Sequence, residues 1–183
     1  MVELLRRASK LVLSLIVIGS LMSCHDVTQT KSSVAPDYAS AALDLSTPQN
    51  TAYSMMIAMY RGDAEMIDKV FIDGAALRRI KPNGSVEPDG LKRWRDWVGT
   101  LEVGQAHEEL FGLKVEQFEN LATVWAPFVI TYNGEIAGCG VNQLSMARRD
   151  GDWRIVSGMD TAAPKESCAS FKKTTIAQLR TKS

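Results

Sequence analysis

Histidine is nearly absent from this chain, with two in 183 residues, and only His107 lies beyond the N-terminal stretch. No H-x-x-x-H, C-x-x-C or clustered Asp/Glu spacing offers a metal ion its ligands, so no metal and no cofactor is expected. A G-x-S-x-G elbow and a glycine-rich phosphate loop are also missing, which removes local support for a hydrolase nucleophile or a nucleotide cradle. Net charge is lacking as well: 21 Lys and Arg balance 21 Asp and Glu. Nothing therefore points to a nucleic acid held by phosphate contacts. No internal repeat and no long low-complexity run alters the class.

What is present begins with a targeting segment. Arg6, Arg7 and Lys10 precede an uncharged apolar run, Leu11 to Ser23, which suits a secretory signal and is short for a membrane-spanning helix. Its end, Leu21-Met22-Ser23-Cys24, resembles the lipobox of bacterial lipoproteins, although Met22 is bulkier than the usual residue there. That resemblance implies cleavage after residue 23, a lipidated Cys24 and a membrane partner reached through the acyl chains. His25 stands where an inner-membrane retention signal has Asp, so the resemblance implies the outer membrane, facing the periplasm. The competing readings are an ordinary signal peptide cut nearby and an uncleaved anchor. Removing the segment leaves roughly 160 residues, enough for one domain with one core. Residues 24–46, polar and without periodicity, read as a flexible tether.

Thr47-Pro48 starts a helix, with Thr as cap and Pro in its first turn, and Tyr53, Met56, Ile57 and Tyr60 recur at helical spacing. A second helix begins near Asp63 and stops at Asp73-Gly74. Residues 75–86 suggest a hairpin about Lys81 to Gly84, and Leu91 to Leu101 a third helix with apolar residues at i, i+3, i+4 and i+7. His107 to Phe118 reads as one strand. A longer loop over residues 117–120 would put His107 and Glu109 on its interior side.

Leu121 to Asp160 reads as three antiparallel strands joined at Asn133-Gly134 and Asp150-Gly151, dipeptides suited to the positive φ of tight hairpins. Pairing Tyr132 with Glu135 and Arg149 with Asp152 fixes an expected register. It puts Leu121, Thr123, Trp125, Asn142, Leu144, Met146, Trp153, Ile155, Ser157 and Met159 on the core face. Ala122, Val124, Ala126, Phe128, Cys139, Val141, Gln143, Ser145 and Val156 fall on the other. That second face is also mostly apolar, which a solvated face should not be, so Val124, Phe128 and Val141 are candidates for a homodimer interface. Residues 163–183 form a basic tail, weakly helical over 174–179, that either touches anionic lipid or is simply solvated.

The run N-L-A-T-V-W-A-P-F, followed by Y-N-G, C-G-V-N-Q-L and D-G-D-W-R-I, resembles the C-terminal half of the nuclear-transport-factor-2-like (NTF2-like) superfamily, in particular SnoaL-like and DUF4440-like members. The resemblance is clearest over Leu113 to Asp160 and extends back to Thr47. It implies an α+β fold over residues 47–162, a cone in which N-terminal helices pack on a curved antiparallel sheet, with a cavity between them. The implied lining is Tyr53, Met56, Tyr60, Trp97, Thr123, Trp125, Asn142, Ser157 and Met159, with Ile57 beside them. Such a set suits a small apolar ligand and equally suits a filled core.

Two functions stay open. One is a non-catalytic envelope module that binds a small apolar ligand or a protein. The other is a ketosteroid-isomerase-like or dehydratase-like enzyme, with His107 as a weak candidate base and Tyr53 or Tyr60 as proton donor. Asn142 cannot serve as a base. Cys139 and Cys168 would pair in an oxidising compartment if the geometry allows; otherwise Cys139 is a small buried apolar residue.

Overall fold

The structure, a computed structural model, describes residues 35–180. The signal segment and Cys24 lie outside the described residues. In chain order the elements are α1 (Pro48–Arg61), α2 (Ala64–Val70), β1 (Phe71–Ile80), α3 (Leu91–Val98), β2 (Ala106–Leu110), β3 (Lys114–Phe118), β4 (Leu121–Tyr132), β5 (Glu135–Arg149), β6 (Asp152–Ala162) and α4 (Cys168–Arg180). The sheet order is β1-β6-β5-β4-β2, with β3 also paired to β4. All its pairings are antiparallel except β1 with β6.

The Thr47 cap expected from sequence forms, and two further caps accompany it. Thr47 accepts from the Asn50 N–H, Asp63 accepts from the Met66 N–H, and Gly62 closes α1 in the left-handed region at φ 67°. The second helix does not run to Asp73-Gly74: Phe71 already has extended geometry, and the chain turns directly into β1. The third helix ends at Val98 instead of Leu101. Where a hairpin was expected about Lys81 to Gly84, a turn forms, and beyond it the chain makes one isolated bridge, Ile80 with Val86, and a further backbone bond from the Gly90 N–H to the Leu77 carbonyl.

Both hairpin turns close as predicted, with Asn133, Gly134, Asp150 and Gly151 all at positive φ. Tyr132 pairs with Glu135, and Arg149 with Asp152. The register then slips twice. Ile130 pairs with Gly138 while Thr131 pairs with Ile136, so Ala137 is an extra residue in β5. Ser145 pairs with Ser157 while Met146 pairs with Ile155, so Val156 is extra in β6. Each bulge moves everything beyond it to the opposite face, because side chains alternate with period two.

The expected faces are therefore partly exchanged. Ala122, Val124, Ala126 and Phe128 join Asn142, Leu144, Met146, Trp153 and Ile155 on the concave core face. Val124 is 0 % exposed and Phe128 5 %, so neither can form an outer dimer interface. Leu121, Thr123, Trp125, Ser157 and Met159 move to the outer face, where Trp125 is 47 % exposed. Val141 remains on the outer face as expected.

On the concave side Tyr53, Met56 and Ile57 of α1 pack into the same cluster as Val124, Leu144, Met146, Trp153 and Ile155. This part of the cone is a filled core. Thr51 ties α1 to the sheet, its hydroxyl donating to the Trp153 carbonyl at 3.1 Å.

Two regions expected to be loose are attached. The stretch read as a tether packs from Ala35 onward: Tyr38 and Leu45 are buried, the Trp153 N–H donates to the Leu45 carbonyl, and Arg61 Nη2 donates to the carbonyls of Ala39 and Ala41. The basic tail instead forms a short 3-10 turn and α4, joined to β5 by a Cys139–Cys168 disulfide with a Cα–Cα distance of 5.3 Å. Phe171 meets Phe111 edge-on at 6.1 Å, and Lys172 pairs with Glu109 at 2.5 Å. The expected single strand over His107 to Phe118 is two, broken at Gly112, whose φ of 58° interrupts extension and which offers a Cβ no room beside Leu179.

Candidate functional site

The sheet carries charge onto the concave face at one end. β1 and β6 run parallel with Arg79 beside Asp160, and Asn142 of β5 lies opposite Asp160. β2 alternates so that Ala106, Glu108 and Leu110 share the face of Tyr132, Ile130 and Phe128 of β4. Glu108, Asn142, Asp160 and Arg79 thus converge from four strands.

A one-residue slip between β2 and β3, at Gly112, decides which β2 residue faces inward. The β3–β4 turn has two residues, Phe118 pairing with Leu121 across Glu119 and Asn120, not the expected longer loop. Its register carried straight on would set His107 against Tyr132 and Glu109 against Ile130, but past Gly112 it is Glu108 that pairs with Ile130 on the concave face. His107 instead packs edge-on between Tyr38 at 4.7 Å and Tyr60 at 5.4 Å. Its Nε2 is buried without a hydrogen-bond partner, and burial holds its pKa below the ordinary histidine value, against the pull of the Glu109 carboxylate. Glu109 points to α4 and Lys172.

Asn142 donates from Nδ2 to Glu108 Oε1 at 2.7 Å. The residue Glu108 keeps partial exposure, while its carboxyl is surrounded by protein. That burial pushes its pKa up to about 7, against the Asn142 hydrogen bond, with Asp160 adding to the rise and Arg79 opposing it. Arg79 donates from Nε to both Asp160 oxygens, at 3.2 and 2.9 Å, and pairs with it again through Nη2. The pairing raises the Arg79 pKa further.

Next to these groups is a cleft of about 380 Å³, with walls from Leu77, Arg79, Arg93, Trp94, Trp97 and Asp160. Arg78, Glu87, Pro88 and Gly90 complete the lining. α3 supplies the two tryptophans because its apolar positions recur every three to four residues, which turns Trp94 and Trp97 to one side. Trp94 is braced edge-on by Phe71 at 6.3 Å, and Trp97 lies 6.4 Å from Tyr132.

Of the residues predicted to line a pocket, Trp97 lines this cleft, and Asn142 lies outside its lining, opposite Asp160 on the sheet and bonded to Glu108. Tyr53 and Met56 belong to the packed core, and Tyr60 to the His107 cluster. Thr123 and Trp125 line a different hollow, between the outer face and α4. Ser157 and Met159 are on the outer face. Sequence reasoning missed Glu108, Asp160, Arg79 and Trp94. For Glu108 the usable signal was Asn142, a polar residue in an apolar strand that requires a buried partner. Among the described residues no group of three or more His, Cys, Asp or Glu could hold a metal ion.

No protein-family model matches the chain, and no curated protein does. Solved structures do match. A protein from Streptomyces avermitilis, classed provisionally as a dehydratase of the NTF2-like family, superposes with a TM-score of 0.53 at 16 % identity over 66 % of this chain and 96 % of its own. A protein of unknown function from Mycobacterium tuberculosis superposes with a TM-score of 0.53 at 18 % identity over 66 % and 73 %. An NTF2-like protein of unknown function from Silicibacter pomeroyi gives 0.50 at 15 % over 63 % and 92 %. At these identities the likeness is one of fold, and together with helices laid on a curved six-stranded sheet it establishes that this chain has the NTF2-like cone fold.

Proposed function

We propose that the domain binds a small, planar, largely apolar molecule with one anionic group in the cleft between α3 and β1. The observation that carries this reading is the placement of the Arg79–Asp160 pair in the same cleft as Trp94 and Trp97. Tryptophan faces provide broad apolar contact, and a few fixed polar groups orient a ligand. Arg78, Arg79 and Arg93 outnumber Glu87 and Asp160 by one among the lining residues, so the cleft favours a single negative charge. Its volume of about 380 Å³ falls in the range of small-molecule sites.

Native mass spectrometry of the full chain purified from its own host tests this. The expected result is a bound small molecule that Trp97→Ala loses and Trp125→Ala keeps. A wild type with no bound mass, or a ligand lost only in Trp125→Ala, would overturn the proposal. We also propose that Cys24 is the lipidated N-terminus, which the same spectrum reads through loss of residues 1–23 and gain of a diacylglyceryl group.

Glu108 favours a second reading, acid–base catalysis. A carboxyl with a pKa of about 7 exists in both protonation states near neutrality, so it can take or return a proton. The provisional dehydratase among the structural neighbours is compatible with that chemistry. Binding is preferred because Glu108 itself is not among the residues lining the cleft.

A further inference from the structure

The outer face of the cone carries features that the cleft does not use. β3 pairs with β4 and with no other strand among the described residues. Its second edge therefore presents backbone N–H and C=O groups with no sheet partner, a template for another strand. Lys114, Glu116 and Phe118 alternate onto the outer face, across β4 from Trp125, Thr123 and Leu121. Phe118 is 57 % and Leu121 63 % exposed. Between α4 and this ribbon lies a groove of about 590 Å³ lined by Trp125, Val141, Phe171 and Leu179, with Lys114 and Glu116 on its border. Leu179 reaches Gly112 at one side of it.

We propose that the β3 edge and this groove are the interface for a second copy of this chain, the two β3 strands pairing antiparallel about Val115. The charges select that register. With Val115 at the two-fold axis, Lys114 stands across from the partner's Glu116, and Glu116 across from the partner's Lys114, giving two opposite-charge pairs on one face. Centring the pair on Glu116 instead would place two carboxylates directly opposite each other, which is unfavourable. The Val115 register also keeps Val115, a core residue, facing the interior in both copies. It carries the partner's Phe118 past Lys114 toward Gly112, at the side of the groove, so the exposed phenyl ring of each copy meets the apolar groove of the other. A two-fold interface needs such self-complementarity, in which one patch contains both the insert and its receptor.

Sedimentation velocity on the purified full chain tests the pairing. The wild type is expected to be a dimer. K114E puts Glu across from the partner's Glu116, and E116K puts Lys across from the partner's Lys114, so each single variant should dissociate at least about tenfold more readily, two attractive surface pairs having become repulsive. An equimolar mixture of K114E and E116K should recover the dimer as a heterodimer, because the changed charges are again complementary. A wild type that stays monomeric at every concentration measured overturns the proposal. So do single variants that dimerise like the wild type, or a mixture no tighter than either variant alone.

Discussion

The two faces of the sheet have similar apolar content and are used in different ways. The concave face buries Val124, Phe128, Leu144, Met146, Trp153 and Ile155 against α1 and α2 and leaves a charged cluster only at the α3 end. The outer face is covered in part by α4, which the Cys139–Cys168 disulfide secures, and beyond that helix Phe118, Leu121 and Trp125 stay exposed. Apolar composition therefore does not identify the core side. What does is the position of two extra residues, Ala137 and Val156.

The sharpest way to break this comparison is a charge placed at neighbouring positions of β4. Val124→Lys puts an unpaired cation in the core and should cost about 4 kcal/mol or more, enough to unfold a marginal domain. Thr123→Lys, one residue away on the outer face and opposite Glu116, should change stability by less than about 0.5 kcal/mol. Urea denaturation of the pair reads both, and equal losses would mean that the assigned faces are wrong.

Cys168→Ser tests how the outer face is covered. Opening a crosslink between residues separated by 29 positions should cost about 3 kcal/mol. The loss should appear as limited proteolysis within α4 while the sheet remains protected. Cleavage spread through β4 and β5 would show that α4 and the core unfold as one unit.

The smallest effect, and the one most dependent on conditions, concerns the concave cluster. The folded state holds Glu108 at about 7, above its ordinary 4.5, so between those values the folded protein binds a proton that the unfolded chain has released. Its penalty is absent below about pH 4.5, grows as pH rises, and is complete above about pH 7, reaching at most about 3 kcal/mol. Glu108→Gln should therefore match wild type at about pH 4 and be more stable at about pH 8, while abolishing any turnover that depends on this carboxyl. Equal stability across the range would mean that Glu108 is not held protonated.

The turns and helix starts were legible because their chemistry is local. Asn133-Gly134, Asp150-Gly151, Thr47-Pro48 and Asp63 need only their neighbours to act. Bulges are not local. Nothing in G-E-I-A-G-C or R-I-V-S-G states that Ala137 and Val156 will be left out of pairing, because that is decided by the fit of the whole sheet against the helices. Missing Ala137 exchanged the two faces of β4 and moved Val124 and Phe128 from the core to a supposed interface, and missing Val156 put Ser157 and Met159 on the wrong face of β6. Glu108 was hidden differently. In H-E-E it reads as one of two solvated acids, and only the one-residue slip at Gly112, which shifts β2 against β4 relative to β3, turns it inward.

The N-terminal stretch from Ala35 to Ser46 has a mechanical consequence. Its attachments come one after another along the chain: Tyr38 against Tyr60 and His107, then the carbonyls of Ala39 and Ala41 held by Arg61, then the Leu45 carbonyl held by Trp153. A load applied ahead of Ala35 would meet these contacts in series, before the Thr47 cap of α1. Peeling residues 35–46 would free at most roughly 40 Å of extended chain before tension reached α1.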